Sequence, residues 1–235
     1  MKRMNAIVTG ASSGIGHAIS EYLLSEGYEV FGIGRSMDER VGTLLASENF
    51  HAISLDLTDL CRAQEIIDQI QKENAIHLLV NNAGVGYYGM HEELSAKKLD
   101  EMVTINLTVP MLLSSLLMRN LKKNQGTIIN ISSYTAHETN PHGCAYGATK
   151  AGLSSFGKSL FFENRKYGVK VVNLEPEMTR TDLYRNADFT ASEEVNASLF
   201  TQDIVEAVAY VLAQKEHVAV HTVSLTPQYH RIQKK

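Results

Sequence analysis

Tyr146 and Lys150 stand four residues apart in the stretch YGATK. In a helix that spacing puts both side chains on one face, with Cβ atoms ~6 Å apart. An ammonium beside a phenol favours the phenolate and lowers the tyrosine pKa from its ordinary value of about 10. Such a pair can pass a proton to or from a substrate oxygen. None of the other nine tyrosines has a lysine four positions on, and Ser133 lies thirteen residues upstream, just past an apolar run. A surface tyrosine beside a solvated lysine would share this spacing, so the pair alone leaves both readings open.

A second constellation sits in NAIVTGASSGIGHAI, where Gly10, Gly14 and Gly16 enclose Ser12 and Ser13. An apolar run ends at Thr9 and a helical pattern follows. A helix start offers unpaired N–H groups and the positive end of the macrodipole, and so attracts phosphate. Glycine lets the backbone turn sharply and removes the Cβ that would hold a phosphate off. The serines can cap the helix or donate to an oxygen. A triphosphate loop would need GxxxxGK[ST], and no lysine follows here. The GxxxGxG spacing in a strand–turn–helix context suits a dinucleotide, with a tight turn that binds nothing as the alternative.

Positioning these residues requires a regular frame. Short apolar runs predict strands over 6–9, 29–34, 52–55, 77–81, 127–132, 169–174 and 221–225. Longer amphipathic patterns predict helices over 14–25, 39–47, 60–72, 99–121, 146–167 and 202–214. Strict alternation implies right-handed crossovers and a doubly wound α/β fold, with about seven parallel strands and helices on both faces. No repeat, low-complexity tract or linker divides the chain, so residues 1–235 are expected to form one domain. Ligands in such sheets bind beyond the carboxyl ends of the strands. Polar and glycine residues gather at those ends: 10–16, 34–36, 56, 81–84, 132–133 and 175–181.

A formal charge of −4 and a pI near 6.1 argue against a nucleic-acid or membrane-surface binder. The basic clusters, Lys2–Arg3 and 231–235, read as solvated ends. Cys61 and Cys144 are too few and too far apart for a disulfide framework or a zinc site. His217 and His221, and His137 and His142, lack the further ligands a metal needs, so no metal is expected. The opening MKRM runs straight into a strand, and the richest apolar stretch, 107–117, is too short to span a bilayer. A cytoplasmic protein is expected.

TGASSGIG, NNAG (81–84), Asn106, NISS (130–133) and YGATK occur in the order and spacing of one family. From residue 5 to about 181 the chain resembles the short-chain dehydrogenase/reductase superfamily, in its short single-domain branch with a Rossmann-like fold. The resemblance implies carbonyl–alcohol interconversion by hydride transfer with a nicotinamide dinucleotide. It gives Gly10, Ser12, Ser13, Gly14, Ile15 and Gly16 to the pyrophosphate and adenosine ribose. Asp56 and Leu57 would flank the adenine, and Asn82, Ala83 and Gly84 would line the floor. Tyr146 would be the general acid/base, and Lys150 would hold the nicotinamide ribose and lower the Tyr146 pKa. Ser133 would bond the substrate oxygen, and Asn106 would help hold a proton-relay water chain or, alternatively, serve as an amide satisfied by backbone. Pro176, Met178 and Thr181 fall at the nicotinamide end. A non-catalytic sensor or scaffold of this family would have lost catalytic side chains, and all four stand here.

Three features bear on finer questions. NAD-dependent members usually place an acidic residue after the second strand, where this chain has Arg35 and Ser36; a guanidinium can pair with a 2′-phosphate, so NADP(H) is expected. The family's proline–glycine pair after the sixth strand appears as Pro176–Glu177. Glu177 is expected to keep ordinary backbone angles. Its carboxylate would face the pocket mouth and disfavour anionic substrates, or face solvent, or pair with Arg180. The ending HVAVHTVSLTPQYH resembles NADP-dependent 3-hydroxy acid and serine-type dehydrogenases. Residues 182–200, with 86–92 and 137–144, should grip a small carbonyl or alcohol substrate in a modest, partly open pocket. Tyr87, Tyr88, Tyr184 and Phe189 would be its walls and Arg185 a carboxylate partner, or each would serve only in packing or face solvent. Apolar residues on many sides of 99–121 suggest a neighbouring subunit, and the resemblance implies a homodimer or homotetramer through this helix and the one carrying Tyr146.

Overall fold

The computed structural model describes residues 3–37 and 39–235; Lys2 of the expected basic end lies outside them. Seven strands form one parallel sheet: β1 (Asn5–Thr9), β2 (Glu29–Gly34), β3 (Phe50–Ser54), β4 (Ile76–Asn81), β5 (Thr127–Ile131), β6 (Lys170–Pro176) and β8 (Thr222–Leu225). Their spatial order is β3-β2-β1-β4-β5-β6-β8. The order reverses between β1 and β4, which opens a crevice above their carboxyl ends.

Side-chain alternation explains the double covering. Ala6, Val8, Leu78 and Val80 point to one face and pack with α1 (Gly14–Ser25) and α6 (Thr201–Leu212). Ile7, Leu79, Ile128 and Val171 point to the other. There they meet α2 (Leu60–Glu73), α4 (Val109–Asn124) and α5 (Cys144–Asn164). A parallel strand buried on both faces is mostly apolar, as these strands read, and the polar exceptions Asn81, Asn130 and Asn173 bond one another across β4, β5 and β6.

Three elements differ from expectation. Residues 39–46 form 3₁₀ turns broken at Gly42, whose φ of 36° lies outside helical values, so the expected regular helix does not form. Helix 99–121 begins earlier as α3 (Ala96–Val103) and passes through a π turn over Thr104–Thr108 into α4. Asn106 sits in that turn. The third is a two-stranded antiparallel ribbon, β7 (Phe189–Ala191) with β9 (Ile232–Lys234), inside stretches that carry no strand-like apolar run.

Together, residues 96–124 make one helix long and apolar enough to cross a membrane by length and composition. Val109, Leu113, Leu117 and Leu121 are nevertheless spent on the core beneath the sheet.

Candidate active site

The crevice at the strand-order reversal holds a cavity of about 1070 Å³. One end is the glycine turn. Gly10 and Gly14 have φ of 69° and 58°, in the left-handed region that glycine adopts without strain. A Cβ on Gly16 would lie 2.3 Å from the Gly10 carbonyl oxygen, so only glycine lets α1 leave this close to the strand. Asn82 locks the turn, donating from Nδ2 to Thr9 O at 2.9 Å and to Gly10 O at 3.3 Å. Ser13 is extended at φ −163° and its side chain makes no capping bond, which leaves the first-turn N–H groups of α1 facing the cavity. This cradle of open donors at a positive helix end fits a pyrophosphate.

Beyond it lie Arg35 and Ser36, then Asp56, Leu57 and Thr58. Asp56 accepts from Thr58 N and Oγ1 at 2.9 and 2.8 Å; these bonds, with Arg35 adding a smaller pull, hold its carboxyl below the ordinary range. Arg35 is largely exposed, and its Nη1 lies 3.8 Å from Glu101 Oε1. Glu101 also accepts from the Tyr87 hydroxyl at 2.7 Å.

At the other end β5 and α5 bring Ser133, Tyr146 and Lys150 to the wall. All three are buried. Ser133 Oγ accepts from Thr135 N and Oγ1 at 3.2 and 2.9 Å, and it stands beside the Tyr146 phenol, whose proton affinity it lowers. Lys150 Nζ donates to Ile131 O at 2.8 Å and lies 5.7 Å from the Tyr146 ring centre. Burial sets the proton affinities of both groups first. Burial raises the phenol well above its ordinary value, the Ser133 bond is what pulls it down, and burial lowers Lys150 itself to about 8.

Of the expected site residues, Gly10, Ser12, Ser13, Gly14, Ile15, Arg35, Ser36, Asp56, Leu57, Asn82, Ala83, Gly84, Ser133, Tyr146, Lys150, Pro176 and Thr181 line this one cavity. Gly16, Met178 and Asn106 stand behind it. Met178 is buried, its carbonyl accepting from Leu199 N at 2.7 Å, which ties it beneath the following segment. Asn106 is fully buried, with Oδ1 accepting from Val85 N at 2.9 Å and Nδ2 donating to Val85 O and Thr149 Oγ1 at 2.9 and 3.1 Å. Its amide therefore braces the loop after β4 against α5, as an amide satisfied by backbone does.

Glu177 is not among the described non-glycine residues with positive φ, so its backbone angles are ordinary. Glu177 lines the cavity, and its carboxylate is paired with His230 rather than Arg180. Arg180 instead donates to Ser198 Oγ at 2.8 Å and to Glu194 O at 3.1 Å. Glu101, Thr58, Thr179 and His230 were missed. Glu101 stands five residues before Asn106, and a helix start placed earlier would have turned it toward the crevice. His230 carried no sequence signal.

A parallel sheet reversing beside a glycine cradle, with a serine, a buried tyrosine and a buried lysine at the far end, defines a Rossmann-like oxidoreductase. A family model described as short chain dehydrogenase matches residues 4–191. The chain is 32% identical to an uncharacterised oxidoreductase of Staphylococcus epidermidis, over 97% of this chain and 98% of that protein. It is 30% identical to serine 3-dehydrogenase of Agrobacterium fabrum, covering 94% and 92% of the two chains. An alcohol dehydrogenase from Thermococcus sibiricus, solved with 5-hydroxy-NADP, superposes with a TM-score of 0.87 at 27% identity, covering 98% and 99%. The chain belongs to the short-chain dehydrogenase family, and it is an oxidoreductase of the NAD(P)-using kind.

Proposed function

We propose that this chain is an NADP(H)-dependent oxidoreductase interconverting a carbonyl and a secondary alcohol, or an aldehyde and a primary alcohol, within one catalytic domain. The observation that carries the reading is that Ser133, Tyr146 and Lys150 stand buried together on one wall of the cavity, with Lys150 Nζ 5.7 Å from the Tyr146 ring centre. A nicotinamide cofactor supplies or accepts the hydride. In carbonyl reduction Tyr146 donates its proton to the substrate oxygen, and Ser133 turns its hydroxyl to the same oxygen as charge develops there. Lys150 holds a ribose hydroxyl and offers positive charge to the phenolate left behind. In alcohol oxidation the proton returns by the same route.

Arg35 on the wall beyond the glycine cradle supports a 2′-phosphate. The likeness to a serine 3-dehydrogenase supports, as a narrower reading, a hydroxylated acid as substrate. Exposed Val103 and Met111 on the α3–α4 helix, and Phe162 on α5, support a homodimer or homotetramer through these helices. The cytoplasm is the proposed compartment. The test is loss of NADPH absorbance on adding a panel of ketones and aldehydes. Turnover supports the reading; NADPH binding without turnover of any carbonyl would favour a non-catalytic dinucleotide sensor.

A further inference from the structure

Residues 229–235 fold back over 182–200, the segment that borders the substrate end of the cavity. β9 pairs with β7 through Phe189↔Lys234, Thr190↔Gln233 and Ala191↔Ile232. Tyr229 N donates to Asn196 O at 2.9 Å. Arg231 Nη1 donates to both Glu194 oxygens at 2.7 Å, and Lys235 Nζ donates to Tyr184 O at 2.7 Å. This strap sets His230 Nδ1 against Glu177 Oε1. A carboxylate oxygen only accepts, so Nδ1 carries a proton in this contact.

Glu177 occupies the substrate end. It follows Pro176 on β6, lines the cavity with its side chain 13% exposed, and raises the pKa of the neighbouring Tyr184 phenol. Tyr184 packs 6.0 Å from Tyr88 and 5.5 Å from Phe189, and Tyr88 lies 5.7 Å from Tyr146, ring centre to ring centre. Tyr184 thus gives the cavity an aromatic wall, while Tyr88 and Phe189, expected as walls, stand behind it in a ring cluster that reaches the proton donor. Asp182 and Arg185 stand on the same wall and carry opposite charges, with Arg185 Nη1 donating to the Asp182 carbonyl at 3.3 Å. The sign of the field at this end therefore depends on whether Glu177 is compensated.

We propose that His230 is a specificity-determining residue: by donating from Nδ1 it holds the Glu177 carboxylate against the strap, and as an imidazolium it offsets the charge that would otherwise turn away carboxylate-bearing carbonyl substrates. The inference rests on the hydride-transfer reading above. Glu177 alone would exclude anions, as the sequence suggests; the strap reverses that outcome.

The aromatic wall makes 4-carboxybenzaldehyde and its methyl ester suitable probes, and the readout is the ratio of their kcat/KM values with NADPH. His230→Ala should lower the acid-to-ester ratio about five- to tenfold, the size of one partly screened charge, mainly through KM for the acid. Glu177→Gln combined with His230→Ala should restore the ratio, because no charge is left uncompensated. Hydrogen exchange over residues 182–200 should be unchanged in His230→Ala, since the ribbon and the Arg231–Glu194 pair remain. A ratio within twofold of the unmodified protein, or the same fall in the double variant, would overturn the inference. So would an equal loss for both probes with faster exchange over 182–200, which is what a purely structural role gives. Turnover of the ester at an unmoved ratio overturns this inference alone. Failure of the unmodified protein to reduce either probe or any carbonyl of the panel overturns the hydride-transfer reading, and this inference with it.

Discussion

Arg35 Nη1 faces Glu101 Oε1 at 3.8 Å, across the part of the cavity beyond the glycine cradle. Glu101 is also held by the Tyr87 hydroxyl, so the carboxylate is fixed while the exposed guanidinium is free to swing. An exposed pair at this distance contributes little, ~0–1 kcal/mol, and yields readily to a doubly charged phosphate.

Arg35→Ala should reduce the NADPH-over-NADH preference in kcat/KM by roughly ten- to hundredfold, the value of one charge-assisted bond of ~1.5–3 kcal/mol. Glu101→Gln should tighten NADPH binding by less than about fivefold. Steady-state kinetics with both cofactors checks each. Equal kcat/KM for NADH and NADPH in the unmodified protein would remove the basis for NADP(H) preference.

Tyr146→Phe should cut turnover by at least ~10²-fold while NADPH binding, followed by fluorescence, stays nearly intact. One hydroxyl is lost and the ring packing remains. Retention of more than a tenth of the activity would mean that another group supplies the proton.

The pH profile should carry a limb from Lys150. Burial lowers its pKa to about 8, so the ammonium is complete below that pH and is lost as pH rises through it. The Tyr146 phenol, raised by burial, stays protonated across the same range. For the free enzyme, kcat/KM for NADPH in carbonyl reduction should therefore fall above pH 8. Lys150→Arg should shift that limb beyond the measurable range, because a guanidinium does not deprotonate there.

Asn106→Ala should act on stability. It strands the buried N–H and carbonyl of Val85, at ~1–3 kcal/mol for each buried group left unpaired. A fall in Tm of roughly 5–10 °C is expected by thermal denaturation. An unchanged Tm with lost turnover would instead assign Asn106 to the proton path.

Light scattering at micromolar concentration should give at least twice the 26.0 kDa chain mass. Met111→Glu should lower it, because a charge at the exposed Met111 of α4 opposes burial between subunits. A monomeric mass for the unmodified protein would sink the assembly.

The elements whose physics is local were legible. Strands buried on both faces are apolar runs, and the α1 start is written in Gly10, Gly14 and Gly16, so cradle, sheet and the Tyr146–Lys150 face all followed from spacing. The π turn at Asn106 was not legible. Its extra residue is stabilised by Val85 and Thr149, 21 and 43 positions away, and nothing local to the helix announces it. The 3₁₀ break at Gly42 went unseen for the opposite reason, a single glycine outweighing an amphipathic pattern.

Charge and proton affinity divide along the same line. Residue types alone placed a phenol, an amine and a serine at one strand edge, because helix and strand periods carry that information. Only the tertiary structure decided that burial would raise Tyr146 and lower Lys150, since desolvation depends on everything packed around a group. Glu177 is the clearest case. Its position after Pro176 was plain in the sequence, and so was its charge. Its partner, His230, lies 53 residues on and reaches it only because β9 pairs with β7, a short ribbon whose pairing is fixed by the neighbours it meets and not by its own residues.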